Sequence, residues 1–290
     1  MKSNRRQQWL NLEERIFVGL MKAATYGIAA VLLLIILTIL VKGLPALSWE
    51  MVSQTPKGGF YFGKEGGILN AIVGSLYLAV GSTSLAFLIG LPVALFMNVH
   101  LLNKKKLVNG IRFMLDLLWG VPSIVYGAFG FTLMVYMGMR TSLLAGIITV
   151  TLFIIPIMVR SIDEVLKTVP RGLLEASLSL GSTRSETAFR VFVRQCYPGI
   201  ITAILLSFGR AIGDAAAVLF TTGYTDYLPQ SINDPTATLP LAIFFQLSSP
   251  IPEVKARAYA SALVLTIIIL IISLLSRHLS RKFEKNKIKF

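Results

Sequence analysis

Apolar runs free of Asp, Glu, Lys and Arg alternate with short polar segments along this chain, at 23–41, 66–103, 117–139, 141–159 and 258–276. About 20 helical residues cross the ~30 Å hydrocarbon core of a bilayer, so each run is long enough to span one. A sixth run, 200–223, is interrupted only by Arg210 and Asp214. The pattern predicts an all-α integral membrane protein with six transmembrane helices over 16–42, 68–99, 112–138, 143–161, 200–223 and 258–280. The first carries no polar residue in need of a partner and reads as a peripheral anchor. The second is too long to stand perpendicular and must tilt or project; its Gly74, Gly81 and Gly90 permit close helix approach. Pro92, Pro122 and Pro156 each remove an internal hydrogen bond and are expected to kink their helices. Residues 138–141 must form a tight hairpin, and 239–247 is too short to cross, which suits a re-entrant or interfacial helix.

Composition agrees: 54% of the 290 residues are hydrophobic and 14% charged, which places the chain in the membrane class. The net charge of +14 acquires meaning once the basic residues are sorted by side. With the N-terminus inside, 21 Lys and Arg fall on cytoplasmic segments and six on outer ones, so both termini are expected in the cytoplasm of a bacterial plasma (inner) membrane protein. Basic ends without interleaved aromatics give no nucleic-acid reading. Residues 1–22 are basic, but the run that follows is full length and lacks a small-residue cleavage pattern, as expected of a retained span. Cys196 is alone, so no intrachain disulfide or cysteine metal site is offered, and His100 and His278 sit at span ends, away from any nucleophile. The expected organisation is a tail, first span and external segment over 1–65, a main domain over 66–283 containing the loop 160–199, and a tail over 284–290. Gly58-Gly59, Gly66-Gly67 and the prolines of 224–257 mark the outer contact surfaces.

The polar loop between the fourth and fifth spans is the first candidate site. Pro170 suits an opening helical turn, and Leu173, Leu174, Ala176, Leu178 and Leu180 interleave with Glu175 and Ser179 as in an amphipathic helix. Gly181 is a helix stop, Ser182 or Thr183 caps a second helix with Glu186 placed to complete the cap, and Pro198-Gly199 is expected to break that helix at the membrane surface. Periodicity alone also fits a connector lying on lipid.

The second candidate is Arg210 with Asp214. Eleven helical residues beyond Gly199 place Arg210 about 16 Å in, near the bilayer midplane, where each ion costs roughly 3 kcal/mol unless it faces protein or water. A spacing of four predicts that the two share a helix face. They then serve as an internal pair holding helices together, or as a site where the guanidinium fork takes an oxyanion and Asp214 helps hold and release it. Ser123 and Asn70 are polar positions able to line a passage or to make ordinary interhelical bonds. Asp116, four residues after Arg112, reads as its surface ion-pair partner.

The order Glu175-Ala176-Ser177, three residues, Gly181-Ser182-Thr183-Arg184 and then Pro198-Gly199-Ile200 resembles the loop by which ABC importer permeases grip their ATPase. Where that family usually has Leu-Pro near the second helix, this chain has Val193-Arg194. Arg210-Ala211-Ile212-Gly213, an acid and Ala217-Val218-Leu219-Phe220-Thr221-Thr222-Gly223 resemble the fifth span of phosphate importer permeases, with Asp214 and Ala215 where Glu and Thr are usual. The segments 67–75 and 120–127 are similar to further stretches of the same family, and the run after Asp214 favours one of that system's two permease types. The resemblance implies a type I ABC importer permease fold with a cytoplasmic coupling helix, and ATPase docking through Glu175, Ala176, Ser177, Leu178, Gly181, Ser182, Thr183 and Arg184. It implies two ATPase subunits carrying ATP and Mg, a second related permease, an external phosphate-binding protein and surrounding lipid as partners, with no cofactor on this chain. The chain has no Gly-rich Lys-Ser/Thr phosphate loop, so it is not expected to be an enzyme itself. The alternatives are a permease for another oxyanion such as sulfate or molybdate, or a secondary transporter or channel that needs no ATPase. An intramembrane hydrolase would require paired carboxylates, a metal cluster or a Ser-His arrangement, and no such set converges.

Overall fold

The structure is a computed structural model describing residues 2–57 and 65–284; the expected Gly58-Gly59 surface and the last tail residues lie outside them. Five of the described helical stretches are long and apolar enough to cross a membrane, and a helix pair bent by 94° makes a sixth when the two are taken as one span. In chain order, α1 (Lys2–Gly43) leads through a short turn and α2 (Trp49–Ser53) to the two-residue strands β1 (Pro56–Lys57) and β2 (Glu65–Gly66), which pair antiparallel. Then come α3 (Leu69–Leu95), the pair α4 (Lys105–Gly120) and α5 (Ser123–Tyr136), and α6 (Leu143–Leu166). Short α7 (Arg171–Ser179) and α8 (Arg184–Glu186) precede α9 (Val193–Gly213), α10 (Leu239–Leu247) and α11 (Pro252–Glu284).

The core forms where α6 lies against α3, α4, α5 and α9. Small residues set the spacing as expected: a Cβ on Gly81 would meet Ile147, and one on Gly90 would sit 3.0 Å from the Met158 side chain. Without those methyls the backbones approach closely enough for Thr151 Oγ1 of α6 to reach the Ser82 carbonyl, 3.4 Å away. The peripheral reading of α1 agrees with the structure. Its apolar window is entirely unburied within the chain, and it attaches near its end, where Gly43 lets the Tyr259 backbone approach. Short α10 lies beside α11 with its first turn buried, its Leu239 N–H donating to Ser75 Oγ of α3 at 2.7 Å.

Of the expectations about helix continuity, the kink at Pro122 is present as a full break, and the break expected at Pro198-Gly199 is corrected. The third span is two helices meeting at a 94° break, 121–122, because Pro122 and the extended Val121 before it cannot continue α4. α3 and α6 run on as helices through Pro92 and Pro156, with a wide π turn (Phe96–His100) after the former. Pro198 lies inside α9 and breaks nothing. Instead the Pro-Gly pair serves packing: Gly199 leaves room for the Val165 side chain at the end of α6. The departure at Val193-Arg194 has the same consequence, since helix runs unbroken through a π turn (Thr187–Phe192) into α9. The fifth span ends early, at Gly213, and 214–222 is a string of turns.

Candidate functional site

The loop folds as a rigid elbow. α7 ends in a Schellman arrangement: Gly181, at φ +86°, lets its own N–H donate to the Leu178 carbonyl (3.0 Å) and the Ser182 N–H donate to Ser177 (3.3 Å). Thr183 then caps α8 through a reciprocal box, its Oγ1 accepting from the Glu186 N–H at 3.2 Å while the Glu186 carboxylate accepts from the Thr183 N–H at 2.9 Å. A Ser177–Thr187 hydroxyl bond of 2.9 Å staples the two arms. Leu174 is buried in the core, whereas Glu175, Ala176 and Gly181 face out and Leu180 stands 87% exposed at the tip. The elbow is therefore anchored on one face and offers a knob on the other. Arg184 fixes it to the π turn after α3 as well, donating to the His100 carbonyl at 3.1 Å.

From Arg184 to Gly213 the chain forms one helical stretch, so the second arm of the elbow and Arg210 ride on the same rod, about 40 Å apart along its axis. The Arg210 guanidinium lies over the Phe153 ring, 5.1 Å from its centroid, a cation–π contact. Phe153 is about halfway along α6, which places Arg210 mid-span. Tyr126 of α5 also packs on Phe153, with ring centroids 5.6 Å apart, and its hydroxyl donates across the break to the Leu118 carbonyl at 3.0 Å. The break, with half-buried Ser123 opening α5, thus stands at the level of Arg210.

The other candidates are placed differently. Asp214 does not share a helix face with Arg210. The helix has ended at Gly213, and the Asp214 carboxylate accepts from the Ala217 N–H at 2.8 Å, starting the turns that follow. A carboxylate that captures a nearby backbone N–H competes with helix continuation, and Gly213 before it offers little resistance. Among the described residues no carboxylate pairs with Arg210. Asn70 is buried in the first turn of α3, donating to the Thr225 carbonyl at 2.6 Å. Nearby, burial pushes the Asp226 carboxyl above its ordinary range, which disfavours negative charge at that end.

One cluster was missed. Asp163, fully buried near the elbow end of α6, accepts two bonds of 2.9 Å from Arg112, one of 2.8 Å from Asn98 and one of 2.8 Å from Arg160, with Lys167 at 3.2 Å. Arg160 also holds Asp116 at 2.7 Å and Glu164 at 2.8 Å. The expected Arg112–Asp116 pair is thereby replaced: Arg112 turns inward to the desolvated carboxylate, where its two-pronged donor fork gains most, and Asp116 takes Arg160. The cluster ties α3, α4 and α6 together beside the elbow. The spacing Arg160, Asp163, Glu164, Lys167 carried this signal at i,i+3 and i,i+4.

Comparison with known proteins agrees with this geometry. Residues 90–285 match the family model described as binding-protein-dependent transport system inner membrane component. The phosphate transport system permease protein PstA of Pasteurella multocida is 33% identical over 246 residues, covering 84% of this chain and 85% of that protein. The Haemophilus influenzae protein of the same name is 31% identical over 96% of this chain and 98% of its own length. The probable ABC transporter permease protein YqgI of Bacillus subtilis is 30% identical over 94% and 97%. Among solved structures, an inward-facing methionine ABC transporter MetNI chain superposes with TM-score 0.63 at 19% identity, over 74% of this chain and 95% of that one. A bacterial alginate ABC transporter chain gives 0.61 at 13% identity, over 87% and 89%. These last two establish the fold, that of a type I ABC importer permease. The chain belongs to the family of binding-protein-dependent transport system inner membrane components.

Proposed function

We propose that this chain is a permease subunit of an ATP-driven phosphate importer, forming half of the translocation path and coupling it to ATPase subunits on the cytoplasmic side. The observation that carries the reading is mechanical: the exposed knob around Leu180 and Gly181 is joined through the Thr183 cap to one continuous helical stretch, Arg184–Gly213, that carries the mid-span cation Arg210. When an ATPase closes on the elbow, the rod moves as a unit and Arg210 moves with it, exchanging access between the two faces. Glu175, Ala176, Ser177, Leu178, Gly181, Ser182, Thr183 and Arg184 form the docking surface, and ATP with Mg is bound and spent on the partner. The elbow and both termini are cytoplasmic, following the basic-residue bias.

Arg210 is exposed on this chain although it sits at mid-span. An arginine there is costly against lipid, roughly 3 kcal/mol even on the lenient scale, so another protein surface must cover that face. A second, related permease does so, and the guanidinium then borders a path between the two chains. Resting on Phe153 rather than on a carboxylate, it keeps its donors for an incoming oxyanion. Asp214 and Ser123 shape the path from the ends of their helices, and buried Asn70 supports it indirectly by holding the Thr225 carbonyl. Phosphate is preferred to sulfate or molybdate because of the relatives' names; an outer solute-binding protein delivers it.

The test is Arg210→Gln in the assembled transporter. Uptake of labelled phosphate is expected to be lost while the subunits still co-purify; undiminished uptake would remove Arg210 from the path.

A further inference from the structure

Behind the ion-pair cluster, a cavity of about 280 Å³ opens between the end of α3, the first turns of α4, the end of α6 and the start of α7. Its charged lining is of one sign. Lys105, Arg112, Lys167 and Arg171 border it together with Asn109, and no Asp or Glu does. Arg112 and Lys167 are engaged with Asp163 beneath, whereas among the described residues Lys105 and Arg171 make no ion pair. These two are also the first residues of α4 and α7, helices whose N-terminal N–H groups receive no side-chain cap. Two uncapped helix starts and two unpaired cations therefore surround one space, an arrangement suited to an anion.

The remaining wall is apolar and includes Leu166, Val169 and Phe192. A small hydrated anion gains nothing from such a wall, but an amphiphile does. α4 begins at the exposed run Lys104, Lys105 and Lys106 and then exposes Leu107, Met114 and Leu117, residues suited to lipid, so the end of α4 that borders the cavity sits where bilayer meets water on the elbow's side. We propose that it binds the phosphate head group of an anionic phospholipid, with Lys105 and Arg171 as its principal cations and the apolar wall against the glycerol and first acyl carbons. A lipid seated there bridges α4 to α7 and stiffens the joint through which the elbow is driven, making the transporter responsive to the anionic lipid content of its membrane.

The test uses the assembled transporter in phosphatidylcholine nanodiscs with and without phosphatidylglycerol, with retained lipid read by native mass spectrometry. Wild type is expected to retain phosphatidylglycerol in preference to phosphatidylcholine. Lys105→Gln with Arg171→Gln is expected to weaken that retention about 30-fold with subunit composition unchanged. Asn109→Asp, which adds a negative charge and removes no cation, is expected to weaken it also. Equal retention by wild type and both variants, or of both lipids, overturns the proposal. Displacement of the lipid by millimolar inorganic phosphate reassigns the cavity to the free anion, and loss of the ATPase from the double variant reassigns it to the docking interface; either result overturns the lipid.

Discussion

Asp163→Asn probes the cluster that ties three spans together near the elbow. The substitution keeps size and one acceptor oxygen but removes a fully buried charge that faces Arg112, Arg160 and Lys167. Breaking a buried ion pair on one side costs about 3–5 kcal/mol. The lower end applies here, since the Arg112 and Arg160 side chains are 23% and 19% exposed and Arg160 keeps Asp116 and Glu164. At roughly 2 °C per kcal/mol for a chain of this size, a loss of about 3 kcal/mol lowers the unfolding midpoint by about 6 °C. Asp116→Asn is the control: that carboxylate is 48% exposed, and a solvent-facing pair contributes about 1 kcal/mol or less, or about 2 °C. Thermal unfolding of the detergent-solubilised transporter, followed by intrinsic fluorescence, measures both. Equal shifts in the two variants would refute the view that burial of Asp163, rather than the number of ion pairs, sets the strength of the joint.

Two further predictions concern the elbow and the rod. At Gly181, φ +86° with no neighbour within 4 Å of a built Cβ, Val strains only the backbone, by about 1–2 kcal/mol. ATP hydrolysis is then expected to persist while phosphate uptake falls, with Gly181→Asn milder because Asn tolerates positive φ; identical behaviour of Val and Asn variants would count against the turn geometry. Arg210→Lys keeps the charge but loses the planar fork, so uptake is expected to fall by about tenfold or more, the order of one or two lost charge-assisted bonds. Wild-type rates in that variant would mean that charge alone suffices.

Much of this architecture was readable along the chain because its signals are local. Gly181, Thr183 and Glu186 dictate a turn and a cap within six residues, and the structure contains both. The apolar runs located the five long apolar helices and the bent pair, since hydrophobic length depends on no tertiary partner. What was illegible depended on neighbours. Pro122 and Pro198 look alike in sequence, yet the first ends a helix and the second is carried inside one, packed where Gly199 meets Val165. Spacing of four suggested Arg112 with Asp116 and Arg210 with Asp214, but tertiary contacts gave Arg112 to Asp163 and Arg210 to Phe153. The Asp214 carboxylate was claimed by its own backbone at Ala217. Charge spacing within one helix proposes pairs, and packing chooses among them.

The central claim is tested most directly by reconstituting the purified permease pair with its ATPase in proteoliposomes and following labelled phosphate delivered by the binding protein. The account predicts accumulation that requires ATP and is undiminished by excess sulfate or molybdate. Phosphate entry at the same rate without ATP, or accumulation of sulfate or molybdate in its place, would contradict it.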